Sequence, residues 1–203
     1  MNQLTDEQLV ERLQGGQAGA LDQLYARYAK KLHVFCSYNA RSDRLDPEDL
    51  VQDVFLRVIK SAHTFDPGIA SFRTWLFRIA RNRCIDANRR ERIIRFIPIG
   101  RKPERAGSQD QLVVEDALVD QGADVASSVM RASVVQAVRD CIDELDHQDE
   151  KQAIVLYYLG DKVYREIGEV LGKSTSMARN RVKAAQDKVR RCLERKGINA
   201  VSY

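Results

Sequence analysis

Residues 46–90 read DPEDLVQDVFLRVIKSAHTFDPGIASFRTWLFRIARNRCIDANRR. Asp46-Pro47 supplies an N-cap carboxylate followed by proline at the first helical position, and Glu48 and Asp49 favour the helix dipole. Leu50, Val51, Val54, Phe55, Val58, Ile59 and Ala62 then recur at helical spacing and predict a core-facing stripe. The other face presents Asp49, Gln52, Asp53, Leu56, Arg57 and Lys60. Its acidic first turns surround Leu56, which the stripe does not need. Such a patch suits docking of a basic partner helix; a plain solvated face is the alternative. The FDPGIAS loop leads into a second helix, from about Ser71 to Arg92. Phe65, Phe72 and Trp75 are interleaved there with arginines at 73, 78, 81, 83, 89 and 90, beside Asn82 and Asn88. Charge on phosphate and stacking on bases are how such a surface grips single-stranded or distorted nucleic acid. The loop before it offers a pocket for an extracted base.

Outward from this stretch, nearly every periodic segment has helical spacing and none alternates like a strand. Thr5 and Gln8 form a capping box for a short helix ending near Gly15-Gly16. Leu21, Leu24, Tyr25, Tyr28, Leu32 and Phe35 mark the next helix. Residues 1–94 are therefore predicted as a four-helix domain. Residues 95–128 read as a flexible acidic linker, broken by Pro98, Gly100, Pro103 and Gly107 and punctuated by Ile97, Ile99, Leu112, Val113 and Val114. Residues 129–203 are predicted as a second domain with helices near 130–144, 148–159, 163–171 and 174–196. The fold class is all-α, two small helical domains joined by the linker.

The last two helices carry VYREIGEVLGKSTSMARNRVKAAQDKVRR, a helix-turn-helix pattern. Ile167, Val170 and Leu171 pack the first helix, Gly168 permits a close crossing, Gly172 makes the turn and Ser174 caps the second helix. Ala178 and Val182 face inward. Thr175, Ser176, Arg179, Asn180 and Lys183 project where base edges and phosphates are read. Arg181, Lys188, Arg190 and Arg191 add phosphate-type charge. A plain helical hairpin is the alternative.

Charge is sorted along the 203 residues behind a net +4. Residues 89–105 hold seven Arg/Lys against two Glu, and residues 106–128 hold five acids and no Lys or Arg. Residues 140–150 hold six acids, and residues 173–196 nine Lys/Arg against two acids. Two basic blocks separated by acidic sequence point to polyanion contact at both. No apolar run reaches membrane-spanning length, and the polar N-terminus is not a signal peptide, so a cytoplasmic chain without membrane insertion is expected. Cys36, Cys84, Cys141 and Cys192 lie far apart and each reads as a small apolar filler, with no metal or redox spacing. The three histidines, His33, His63 and His147, join no nucleophile–base or metal motif, so neither enzyme chemistry nor a cofactor is expected.

These blocks, in this order, resemble the extracytoplasmic-function (ECF, group IV) sigma factors of the sigma-70 family over nearly the whole chain. DPEDLVQDVF resembles the family's core-polymerase-binding helix, FDPGIASFRTWLFRIARNRCIDANRR its promoter-melting segment, and EIGEVLG with STSMARNRV its second DNA-binding domain. The resemblance implies a sigma factor that directs core polymerase to promoters and promotes melting. Asp49, Leu50, Gln52, Asp53, Phe55 and Leu56 would dock on the clamp helices of the largest catalytic subunit. Asp66, Gly68, Ser71, Arg73, Trp75, Arg78, Arg81, Asn82, Asp86, Arg89 and Arg90 would serve the −10 element. Ser174, Thr175, Ser176, Arg179, Asn180, Arg181 and Lys183 would serve the −35 element. It implies core RNA polymerase, including its flap, promoter DNA and an anti-sigma factor as partners, the last able to hold the chain at the inner membrane. Lys173, Met177, Ala178 and the Lys183–Gln186 run depart from the usual pattern and leave the −35 sequence unspecified. The reading from a different class is a free-standing helix-turn-helix regulator, which would leave the acidic helix and the melting-like segment without a role.

Overall fold

The computed structural model describes residues 4–17, 19–42, 44–96, 125–160 and 163–198. They form eight α-helices: α1 (Asp6–Gln14), α2 (Gly19–Asn39), α3 (Pro47–Ser61), α4 (Phe72–Phe96), α5 (Val125–Asp143), α6 (Gln148–Leu159), α7 (Tyr164–Leu171) and α8 (Thr175–Arg195). A 3₁₀ turn, Ala62–Thr64, follows α3. Among the described residues there is no strand.

The helix starts are set by local chemistry. At α1 the backbone N–H of Gln8 donates to Thr5 Oγ1 (3.3 Å), and Gln8 Oε1 accepts from the Thr5 N–H (2.9 Å), which is the predicted capping box. Asp46 Oδ1 caps α3 by accepting from the Glu48 N–H (2.8 Å), and Ser174 Oγ caps α8 by accepting from the Met177 N–H (3.2 Å). α4 and α5 both extend into the segment expected to be linker: α4 runs on to Phe96 and α5 begins at Val125. The physical reason lies in the breakers. The first proline after α4 is Pro98, which disfavours helix for the residue before it, and Gly122 is the last glycine before α5. The expected turns and apolar pieces at 97–114 lie outside the described residues.

α1–α4 pack around Leu9, Leu24, Leu32, Phe35, Val54, Val58, Phe72 and Leu76, all fully buried or nearly so. Each such side chain contributes about 1.5–3 kcal/mol by leaving water. α6–α8 pack around Ile154, Ile167, Leu171, Val182 and Ala185, and α5 lies against α8. The buried cluster is continuous through both groups of helices, because α2 packs on α6 and α4 on α7. Polar contacts seal that seam. Asn39, itself fully buried, accepts on Oδ1 from Gln148 Nε2 (2.6 Å) and Gln152 Nε2 (2.9 Å). Gln152 Oε1 in turn accepts from Arg81 Nε (3.0 Å), and Arg73 forms an ion pair with Glu166.

The expectation for the cysteines is corrected in one pair. Cys141 of α5 and Cys192 of α8 form a disulfide with Cα atoms 5.7 Å apart. Sequence spacing gave no sign of it, because the two residues are 51 apart and meet only when α5 folds onto α8. Cys36 and Cys84 remain thiols, buried between α2 and α4 with their sulfurs 3.8 Å apart.

Candidate polymerase and promoter interface

The exposed face of α3 carries Asp49, Gln52, Leu56, Arg57, Ile59 and Lys60. Leu56 is 52% and Ile59 46% exposed, so two large apolar side chains stand in water on a charged helix. Ile59 was expected in the core stripe. The structure instead turns it outward, while Leu50 and Phe55, which the stripe puts in the core and the resemblance puts on the docking surface, are buried at 2% and 5% exposure. They support the face from beneath. Asp53 is half-exposed and accepts from Arg83 Nε (2.7 Å). Arg83 is thereby drawn off any nucleic-acid surface and onto α3. Its Nη1 is buried without a hydrogen-bond acceptor, so Asp53 is what keeps that guanidinium tolerable inside the fold.

α4 sorts its polar residues by face. Arg78, Asn82, Ile85 and Arg89 are all exposed and follow one another at spacings of four, three and four, a single solvent-facing stripe, with Arg90 adjacent. Arg73 and Arg81 lie on another side, engaged with Glu166 and Gln152 of the second group of helices. Asn88 donates to the Asn39 carbonyl (2.8 Å) and accepts from the Arg41 N–H (2.8 Å), a structural task. Asp86 pairs with Arg57 at 3.5 Å. Trp75 is half-buried against Phe65 and Phe72, with ring centroids 5.4 and 5.9 Å away. In the loop ahead of α4, Asp66 Oδ1 accepts from the Gly68 N–H (2.8 Å) and Ser71 Oγ accepts from the Thr74 N–H (3.2 Å). These bonds hold the loop so that Ile69 is 76% exposed at its tip. Ile69 is not among the residues that the resemblance implies for the −10 element; in the sequence it is the one large aliphatic residue between Phe65 and Phe72.

The helix-turn-helix is formed by α7 and α8. Gly172 takes φ 65°, ψ 38°, the left-handed cap that lets the chain reverse. A Cβ on Gly168 would lie 2.8 Å from the Lys173 carbonyl oxygen, so the turn closes against α7 only because that position has no side chain. Thr175, Ser176, Arg179, Asn180 and Lys183 are exposed together on α8, and the capping Ser174 is exposed at its start. Arg181 is not on this face. It points back toward Glu150 (3.5 Å), a buried carboxylate that Lys188 also contacts at 2.7 Å. Arg181 and Lys188 therefore neutralise an interior acid rather than standing free for phosphate.

Among the described residues no group of His, Cys, Asp and Glu is placed to hold a metal ion, and no helix is long and apolar enough to cross a membrane.

Residues 24–93 match the family model described as Sigma-70 region 2, and residues 141–191 match Sigma-70, region 4. The chain is 30% identical over 184 residues to the RNA polymerase sigma factor CarQ of Myxococcus xanthus, covering 91% of this chain and 95% of that one. The chain belongs to the extracytoplasmic-function sigma factors of the sigma-70 family. This sigma factor is also 29% identical to the ECF RNA polymerase sigma-E factor of Haemophilus influenzae, over 92% of its own length and 94% of the relative's. Its fold resembles CnrH, solved in complex with the cytosolic domain of CnrY, with TM-score 0.63 and 23% identity over 93% of this chain and 97% of that one. It also resembles the sigma factor RpoE of Bartonella quintana, solved with the anti-sigma factor NepR, with TM-score 0.59 and 22% identity over 85% of this chain and 96% of the other. As a sigma factor it is a specificity subunit of RNA polymerase and not an enzyme.

Proposed function

We propose that this sigma factor, which directs RNA polymerase to specific promoters for transcription initiation, divides the work among three exposed helix faces. The α3 face, through Asp49, Gln52, Leu56 and Ile59, docks on the clamp helices of the largest subunit of core polymerase. The acids set orientation and the two apolar groups supply the desolvated centre. The Arg78–Asn82–Ile85–Arg89 stripe of α4, with Arg90 beside it and the 66–71 loop ahead, takes the −10 element, and Ile69 wedges beside an unstacked base. Arg179, Asn180 and Lys183, flanked by Thr175 and Ser176, enter the major groove at the −35 element. The polymerase flap is the second group's protein partner. An anti-sigma polypeptide covers these faces when the factor is held inactive, and one anchored in the inner membrane would hold the chain there.

The observation that carries this division is that α4 and α8 each present a polar, cation-bearing face to water, while Arg73, Arg81 and Arg83 of α4 and Arg181 and Lys188 of α8 are engaged by partners within the fold. Arg73 and Arg81 join the −10 surface once the seam between the two groups opens. The test is run-off transcription with purified core polymerase on a pooled promoter library, with and without the chain. Discrete new transcripts sharing two upstream elements are expected. Absence of both core binding and transcripts, with duplex binding by the chain alone, would replace this division with that of a free-standing regulator.

A further inference from the structure

We propose that Cys141 and Cys192 form a reversible, peroxide-responsive disulfide that sets the stability of the −35-reading unit. Two cysteine pairs meet in this fold; all four residues are buried, Cys141 and Cys192 at 1% and 3% exposure, and the pairs differ in what lies next to them. Cys36 and Cys84 are sealed between α2 and α4, and hydrogen bonding to Cys84 followed by burial raises the Cys36 thiol well above its ordinary range. That pair is chemically quiet. Cys141 and Cys192 instead form part of the wall of a surface cleft of about 660 Å³. Lys188, Arg191 and Arg195 line the same cleft with Glu144 and Glu194, a polar margin that a small hydroperoxide can enter. The reduced state is also provided for. Glu144 Oε2 lies 3.4 Å from the Cys192 sulfur, where a thiol hydrogen finds an acceptor, and Arg195 Nη2 is 3.3 Å from the same oxygen.

The bond's position gives it a consequence. Its 51-residue span encloses α6, α7 and most of α8, so the whole helix-turn-helix lies inside one covalent loop. Closing a loop of that size removes much of the unfolded chain's freedom. The bond also fastens α5, whose body precedes the region 4 match beginning at residue 141. α5 packs chiefly on α8. Among the described residues of α5, the buried Ala137 and Ile142 and the surface ion pair between Lys196 and Asp140 (3.0 Å) remain without the bond. Transcription takes place where thiols are kept reduced, and disulfides in that setting are usually transient.

The chemistry balances with a hydroperoxide as oxidant. One thiolate attacks the peroxide oxygen, giving a sulfenic acid and releasing water or an alcohol. The second thiolate then displaces water from that sulfur. Two thiols lose two electrons and two protons, and the O–O bond is reduced. A dithiol reverses the step by exchange and leaves as its own disulfide.

The full chain is to be treated with hydrogen peroxide or dithiothreitol, followed by thiol counting, peptide mapping and thermal unfolding, in native, C36A/C84A and C141A/C192A forms. The expected result is a 141–192 linkage that forms with peroxide and is lost with dithiothreitol. It should raise the melting temperature by about 10 °C in the native and C36A/C84A chains and leave C141A/C192A unresponsive. Run-off transcription after a heat challenge should then survive in the oxidised chain and fall several-fold in the reduced one. No peroxide-formed linkage, a linkage that dithiothreitol cannot open, or equal melting in both states would overturn the inference. Because thiol counts and melting need no polymerase, failure of the sigma reading would show separately, as absent transcription in every form.

Discussion

Asp53 and Arg181 both look like free surface charges in the sequence, and both are bound into the fold. Asp53 holds Arg83, so Asp53→Arg would set two guanidinium groups together and cost stability before it tested docking. Leu56→Asp is the cleaner probe, because Leu56 is already in water. We expect it to lower core affinity at least tenfold, about 1.4 kcal/mol, with an unchanged melting temperature; core binding at native strength would remove α3 from the interface. On α8, Arg179→Ala should cost about 1–3 kcal/mol at the −35 element and relax the base preference at one position. Arg181→Ala should leave that preference intact and lower stability instead, since it strips a partner from buried Glu150. A relaxed −35 preference in Arg181→Ala would reverse the facing assigned to the two residues.

The elements are positioned by close approaches that few side chains allow. Gly168 sets how near α7 comes to the turn. Gly168→Val would press against a backbone oxygen that cannot move without displacing α8, and should cost about 1–3 kcal/mol by overpacking. Chemical denaturation would read this directly, and a native midpoint would mean that the turn yields more easily than its contacts indicate. α4 shows the same principle in another form. One helix serves three surroundings, with its 78–82–85–89 stripe in water, Arg83 against α3, and Arg73 and Arg81 against the second group.

At the scale of the molecule, the two groups of helices close on each other through the Asn39–Gln148–Gln152 bonds and the Arg73–Glu166 pair. Glu166→Ala removes the acceptor for a half-buried guanidinium. It should loosen the seam and raise the radius of gyration in small-angle scattering, whereas an identical scattering profile would show that the amide contacts suffice. Alkaline pH tests the same seam. Burial, offset in part by Arg139 and then reinforced by the nearby acids Asp143 and Asp140, holds the Tyr38 hydroxyl up at about 12. A raised value means the contribution is whole below the unfolded value of about 10 and is lost as pH climbs from about 10 to about 12. Tyr38→Phe, which cannot ionise, should shift the alkaline unfolding midpoint upward in a circular-dichroism titration. A midpoint that stays put would take Tyr38 out of the transition.

The sequence by itself determined the all-helical class, the caps at Thr5, Asp46 and Ser174, the turn at Gly172 and the exposed polar face of α8. Each of these depends on neighbours within a few residues, where spacing and backbone chemistry act directly. The tertiary structure alone decided which cations are free and which are consumed, that Ile59 faces water although it belongs to the apolar stripe, and that Cys141 meets Cys192. It also decided that Arg73 and Arg81 rest against Glu166 and Gln152. Those outcomes depend on pairs from 30 to 93 residues apart. Such pairs are set by the angle at which one helix crosses another, which no local periodicity encodes.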